Sequence, residues 1–128
     1  MPSYRAPVED TLFVLNDVLK YERYNNLPGF ADASPDIVEA VLREGARFAE
    51  EVFFPLNQVG DSQGCVRHED GSVTTPEGFK AAYEQFKEGG WMGLAFDEEY
   101  GGQGLPYTLH TAVGEYFSSA NMALMMYP

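Results

Sequence analysis

Apolar residues recur along this chain at helical spacing. After an extended start through Pro7, the residues Val8, Leu12, Leu15 and Leu19 step by four, three and four, with Glu9, Asp10, Asn16 and Asp17 off the stripe. That spacing predicts a short amphipathic helix over 8–20. Asn25, Asn26, Pro28 and Gly29 then predict a loop. Ser34 followed by Pro35 marks a helix start, because the hydroxyl can cap free amides and proline fits the first turn, where no donor is missed. From there Ile37, Val41, Phe48 and Val52 form one apolar stripe, and Val38, Leu42, Ala49 and Phe53 form its neighbour. A long helix over 35–54, packed on two sides, is expected. Glu39 and Arg43 form an i to i+4 pair on its wet face. Pro55 is expected to kink or stop the helix, leaving 57–64 as a frayed extension into a loop.

Asp70-Gly71 between Val66 and Val73 has hairpin-turn chemistry on very short flanks, which predicts a bent loop or a tiny ribbon. Thr75-Pro76 repeats the cap-plus-proline signal, and Phe79, Tyr83 and Phe86 predict a helix over 76–88 ended by Gly89-Gly90. Trp91, Met92, Leu94, Ala95 and Phe96 predict a buried linker ahead of the acidic, glycine-rich segment 97–106. Leu109, Ala112, Val113, Tyr116 and Phe117 predict a helix over 107–119. A further apolar run, from Met122 to Tyr127, begins after Asn121, a residue able to cap it. The expected fold class is all-α, with up-down helices, long loops and little or no β structure. Residues 1–33 form an N-terminal extension with one short helix, and residues 34–128 form the helical domain. Natural boundaries are polar and exposed, whereas this chain stops as an apolar segment starts, so the domain is expected to be incomplete at its C-terminal end.

Composition narrows the function. The chain has 128 residues, enough for one domain with a real core, and 45% of them are hydrophobic. Its formal net charge is −12 with only 8 Lys and Arg, which argues against a nucleic-acid surface, since phosphate binding needs clustered cations. No apolar run approaches the roughly 18 to 20 residues of a membrane span, and the N-terminus lacks a charged segment followed by an apolar one. The expectation is a soluble, cytoplasmic protein. Cys65 has no partner for a disulfide, and with His68 it supplies too few ligands for a metal cage.

The glycines 101, 102 and 104 invite comparison with a phosphate-binding loop. A dinucleotide fingerprint needs G-x-G-x-x-G after a strand, and from Gly102 the pattern runs Gly102, Gly104, Tyr107, so the third glycine is missing. The steric account is preferred: these glycines let the backbone turn sharply between the linker and the next helix.

The stretch from Gly89 to Pro106, with Glu99-Tyr100-Gly101-Gly102-Gln103-Gly104-Leu105 at its centre, resembles a passage in the N-terminal helical domain of acyl-CoA dehydrogenases. Glu115 falls where that family carries a glutamate. Asp70-Gly71-Ser72-Val73, Thr75-Pro76-Glu77-Gly78-Phe79 and the start from Tyr4-Arg5-Ala6-Pro7 through Phe13-Val14-Leu15 are similar to its long bacterial branch, so the resemblance covers nearly the whole chain. It implies an oxidoreductase that dehydrogenates an acyl-CoA thioester between its α and β carbons. In the family, a C-terminal glutamate removes the α proton while the β hydrogen leaves as hydride to the N5 atom of FAD. It also implies electron-transfer flavoprotein as electron acceptor and a homo-oligomer. The catalytic glutamate and most flavin contacts belong to later domains, so no catalytic or cofactor-binding residue is assigned here, and this chain alone is expected to be inactive and not to hold FAD. Glu98, Glu99 and Glu115 are expected to be solvated or structural.

What the resemblance does assign is a wall of the acyl pocket. Met125 and Met126, with Met122 beside them, align with positions that line the acyl chain in medium-chain relatives. Methionine is flexible and polarizable enough to mould around an apolar tail, and equally suited to filling a core, so both roles stay open. Two other readings compete. One is a free-standing acidic helical domain that binds a protein partner through its apolar C-terminal edge. The other is a small lipid-binding or acyl-carrier-binding bundle.

Overall fold

The computed structural model describes residues 3–126 and residue 128. Among these residues the regular structure is helical apart from one two-stranded ribbon. Helix α1 spans Val8–Phe13 and continues through a π turn over Val14–Val18. Helix α2 spans Pro35–Phe48, passes through a second π turn over Ala49–Phe53, and runs on as α3 over Phe54–Gln63. Strands β1 (Val66–Arg67) and β2 (Val73–Thr74) pair antiparallel, Val66 opposite Thr74 and Arg67 opposite Val73. Then come α4 (Phe79–Glu88), α5 (Tyr107–Ala120) and the short α6 (Met122–Met125).

The start of α2 follows the expected chemistry. Ser34 Oγ accepts from the Ile37 amide at 3.4 Å, and Pro35 occupies the first helical position. Of the two predicted stripes, Val38, Leu42, Ala49 and Phe53 are all at most 1% exposed; of the other, Phe48 is buried as well, whereas Ile37 is exposed and Val41 and Val52 lie at the edge. Opposite the core, Arg43 bonds Glu39 at 2.7 Å and Arg47 bonds Glu44 and Glu51, a solvated ladder of the kind that contributes little to stability. Arg43 also reaches Glu9 at 3.0 Å, so the predicted local pair links two helices as well.

Four expectations are corrected. Pro55 neither stops the long helix nor leaves 57–64 frayed, because the π turn absorbs it. Proline has no amide to offer the carbonyl four residues back, and its ring crowds that carbonyl. Widening the turn relieves the crowding, and the Phe54 amide bonds the Ala49 carbonyl, five residues back. The predicted start of the third helix at 76 is also displaced: Gly78 takes a left-handed conformation (φ 83°) and α4 begins at Phe79, with no side-chain cap. Within the linker, Trp91 and Leu94 are buried as expected but Phe96 is 59% exposed. The stripe of the first helix loses its last member for a related reason. The Leu19 amide bonds the Val14 carbonyl, five residues back, and this wider turn carries Leu19 out of line with buried Val8 and Leu15.

The core is an aromatic cluster. Phe48, Phe53, Phe86, Trp91 and Phe117 meet with ring centroids 5.2 to 6.2 Å apart, joining the long helix to α4, the linker and α5. Edge-on and tilted contacts dominate, as the quadrupoles of aromatic rings prefer. Helices α2 and α5 approach closely at Gly45, where a Cβ would stand 2.8 Å from a Val113 methyl. Residues before α2 lie against this core. Tyr116 of α5 donates to Thr11 Oγ1 at 2.7 Å, and the Glu50 carboxylate accepts from Arg5 at 2.6 Å and from the Ala6 amide at 3.0 Å. Burial pushes the Tyr116 phenol above its ordinary pKa, so it stays a neutral donor.

The glycine-rich turn is as tight as its sequence implies. Gly101 and Gly104 have positive φ (83° and 64°), and a Cβ on Gly102 would stand 2.1 Å from the Phe96 carbonyl oxygen. Gly114, inside α5, has nothing within 4 Å of its Cβ position. Gly102→Ala is therefore expected to destabilise this chain by about 1 to 3 kcal/mol, as overpacking does. Gly114→Ala is expected to stabilise it, by up to about 1 kcal/mol, through helix propensity. Urea melts of the two variants beside the parent chain check this; equal midpoints would contradict the steric account of the turn.

Candidate functional site

Helix α6 carries the residues that the sequence singled out. It is one turn long, and such a turn has almost no stability of its own. What holds it is Asn121, in extended conformation between α5 and α6 (φ −159°, ψ 92°). The Asn121 amide donates to the Phe117 carbonyl at 2.9 Å and closes α5, and its carbonyl accepts from the Met125 amide at 3.2 Å and opens α6. Its side-chain Oδ1 accepts from the Leu124 amide at 3.2 Å, which is the predicted cap. Its Nδ2 donates to the Phe53 carbonyl at 3.1 Å, across the domain at the end of the second π turn. The cap was legible in the sequence; the bond to Phe53 was not, because it joins residues 68 apart.

The three methionines lie together but not equivalently. Leu124 roots α6 in the core at 8% exposure, and Met125 packs partly against the core beside it. Met122 and Met126 are 58% and 66% exposed and, being four residues apart on a helical turn, share a face directed away from this chain's core. Tyr127, the last apolar residue of the predicted run, lies outside the described residues. Beside α6 an open apolar groove of about 480 Å³ runs between it and α4, lined by Val73, Phe79, Tyr83, Ala123 and Leu124.

The glycine turn does not offer a phosphate cradle. The amides of Gly102, Gln103, Gly104 and Leu105 bond the carbonyls of Asp97, Gly93, Phe96 and Leu94 at 2.9 to 3.1 Å. The Glu99 amide bonds the Asp97 carboxylate at 2.9 Å, and Gln103 Nε2 donates to the Gly90 carbonyl at 3.0 Å. Each of these donors is already engaged by an acceptor of the chain itself, so the turn does not fit the pyrophosphate of FAD. Its work is to fix the path from Trp91 to the start of α5. Glu98 and Glu99 are exposed on this turn, as expected, and Glu115 is exposed on α5 near Thr111 and Ala112. Among the described residues, no His, Cys, Asp and Glu cluster of metal-binding size occurs, and no helix is long and apolar enough to cross a membrane.

Comparison with known proteins agrees with this architecture. A family model described as the acyl-CoA dehydrogenase N-terminal domain matches residues 36–128. The chain is 36% identical over 126 residues to a 3-methylmercaptopropionyl-CoA dehydrogenase of Ruegeria pomeroyi, with 98% of the chain covered. It is 32% identical over 128 residues to a broad-specificity linear acyl-CoA dehydrogenase of Mycobacterium tuberculosis, with 99% covered. It spans about a fifth of each relative's length, 21% in both cases. On the motif around Gly102, the helical architecture and these matches, the chain belongs to the acyl-CoA dehydrogenase family and carries that family's N-terminal domain.

Proposed function

We propose that this chain serves as the N-terminal helical domain of an FAD-dependent acyl-CoA dehydrogenase, in which α6 forms one wall of the acyl pocket. The observation that carries this reading is the placement of the methionines. Met122 and Met126 expose apolar surface on a short helix that is firmly rooted by Leu124 and Asn121. Flexible, polarizable side chains on a rigid support suit an acyl tail, and an apolar wall discriminates by how many methylenes it removes from water. The relatives' names, one for linear acyl-CoA and one for 3-methylmercaptopropionyl-CoA, support an acyl-CoA thioester as substrate class. Electron-transfer flavoprotein as electron acceptor, a homo-oligomeric assembly and a cytoplasmic location complete the proposal by family resemblance.

In this proposal the chemistry of proton and hydride transfer lies outside the chain, and the flavin is enclosed by other parts of the enzyme. This chain, purified alone, is therefore expected to be colourless, with no flavin absorbance band and no acyl-CoA oxidation, while the whole enzyme is yellow. Absorbance near one FAD per chain would show that the cofactor determinants reside here.

The exposed position of Met126 separates a pocket role from a packing role. Met126→Phe is expected to leave the melting of this chain within about 0.5 kcal/mol of the parent, since it touches little of the core. In the whole enzyme it is expected to shorten the preferred acyl chain, lowering kcat/KM about fourfold for each methylene displaced, at about 0.8 kcal/mol per methylene. The best short substrate keeps its kcat. A chain-length profile that does not move would withdraw Met126 from the pocket. Met125→Phe, at a half-buried site, is expected to combine a similar shift with an overpacking cost of about 1 to 3 kcal/mol.

A further inference from the structure

Asn121 stands apart from the rest of the interior. Among the described residues it is the one buried side chain outside the apolar and aromatic set, at 1% exposure. A buried amide is tolerated when its hydrogen bonds are made, and here the backbone amide, the backbone carbonyl, Oδ1 and Nδ2 are all engaged. Capping α6 requires only an oxygen, which serine or aspartate supplies equally well. The amide nitrogen does something further. It fastens the start of α6 to the Phe53 carbonyl, and the Phe53 ring is held within 5.2 to 5.6 Å of Phe48, Phe86 and Phe117. A one-turn helix that would otherwise slide or fray is thereby tied to the aromatic cluster of the core.

We propose that Asn121 is a positioning residue for acyl-chain selection, because its side chain bridges the Leu124 amide and the Phe53 carbonyl and so fixes how far Met122, Met125 and Met126 stand from the core. The inference rests on the reading of α6 as an acyl wall. The depth of a pocket is set by where its wall stands, and a wall displaced by a fraction of a methylene length changes which chain fills it. Asn121 touches neither substrate nor flavin in this scheme; it acts through the methionines.

The test uses the whole enzyme carrying its flavin. Asn121→Ser keeps a capping oxygen but is too short to reach Phe53, and Asn121→Asp keeps the cap but has no proton to donate once ionised. Val113→Ala, a core truncation away from α6, controls for loss of stability alone. Straight-chain acyl-CoA substrates of graded length are assayed for kcat and KM, with flavin content and melting measured beside them. The expected result is that both Asn121 variants change the ratio of kcat/KM between long and short substrates by roughly fivefold or more, the scale of one or two methylene contacts. The change is expected to lie mainly in KM, with kcat on the best substrate within about twofold and flavin content unchanged, the pattern of altered uniform binding. Val113→Ala is expected to lower the melting point without moving the ratio.

If Met126→Phe moves the length profile while both Asn121 variants superimpose on the parent, the acyl wall stands and the positioning role of Asn121 is overturned. If neither Met126→Phe nor the Asn121 variants move it, the acyl-wall reading itself fails and takes this inference with it. A profile moved equally by Val113→Ala would also overturn the inference, by assigning the change to general loosening of the fold. Should Asn121→Ser fail to accumulate, Asn121→Asp at the enzyme's working pH supplies the same comparison, since the ionised carboxylate has no proton for the Phe53 carbonyl: an altered length ratio supports the tether and an unchanged one opposes it.

Discussion

Phe53 and Phe117 meet at 5.6 Å in the middle of this molecule, and the placement of α2, α4, α5 and the linker follows from what packs on that pair. Phe48 comes from the end of α2, Phe86 from α4 and Trp91 from the linker, so the cluster gathers residues that lie far apart in the chain. Each ring contact contributes about 0.5 to 1.5 kcal/mol beyond its buried area, but the contacts are mutually dependent. Gly45 allows the two longest apolar faces to approach, since any side chain there would meet Val113 and then Trp91. The cluster converts a set of amphipathic helices into one arrangement.

Most of the helices could be read from the chain because helix formation is local. Ser34 and Pro35 start α2 by chemistry that acts over three residues, and the stripe Val38, Leu42, Ala49, Phe53 names its own buried face. The steric role of the glycines was equally legible, since Gly101, Gly102 and Gly104 do in space what their order suggests. What was hidden depends on partners distant in sequence or on turns of uncommon width. Pro55 signals a break by local rules, yet the helix passes it by widening one turn. Gly78 overrules the signal of Thr75-Pro76 because a left-handed residue resets the chain direction immediately before α4.

The candidate site divides in the same way. Met122, Met125 and Met126 were singled out by the family resemblance, and α6 forms in the run after Asn121. Two of them face outward while Leu124 faces inward, and the Asn121 bond to Phe53 beside them is one that no periodicity could reveal. The second π turn stands at the junction of several connections. Its Glu50 receives the amide of Ala6 and the guanidinium of Arg5, its Phe53 ring enters the aromatic cluster, and its Phe53 carbonyl receives Asn121. The start of the described chain and the segment near its end thus attach to the same five residues.

That turn has a bearing on how relatives of this chain are compared. A π turn accommodates one more residue than an α turn, and each helical residue accounts for about 100° of rotation. Removing one residue between Ala49 and Phe53 would leave a continuous helix that looks normal by composition, yet everything on one side of the deletion would be turned by about a quarter circle relative to the other. An alignment that places its gap elsewhere in the helix, however well it scores, would equate residues on the inside of one protein with residues on the outside of another. The register of Phe53 against Asn121 is therefore a physical fiducial mark by which such alignments can be set.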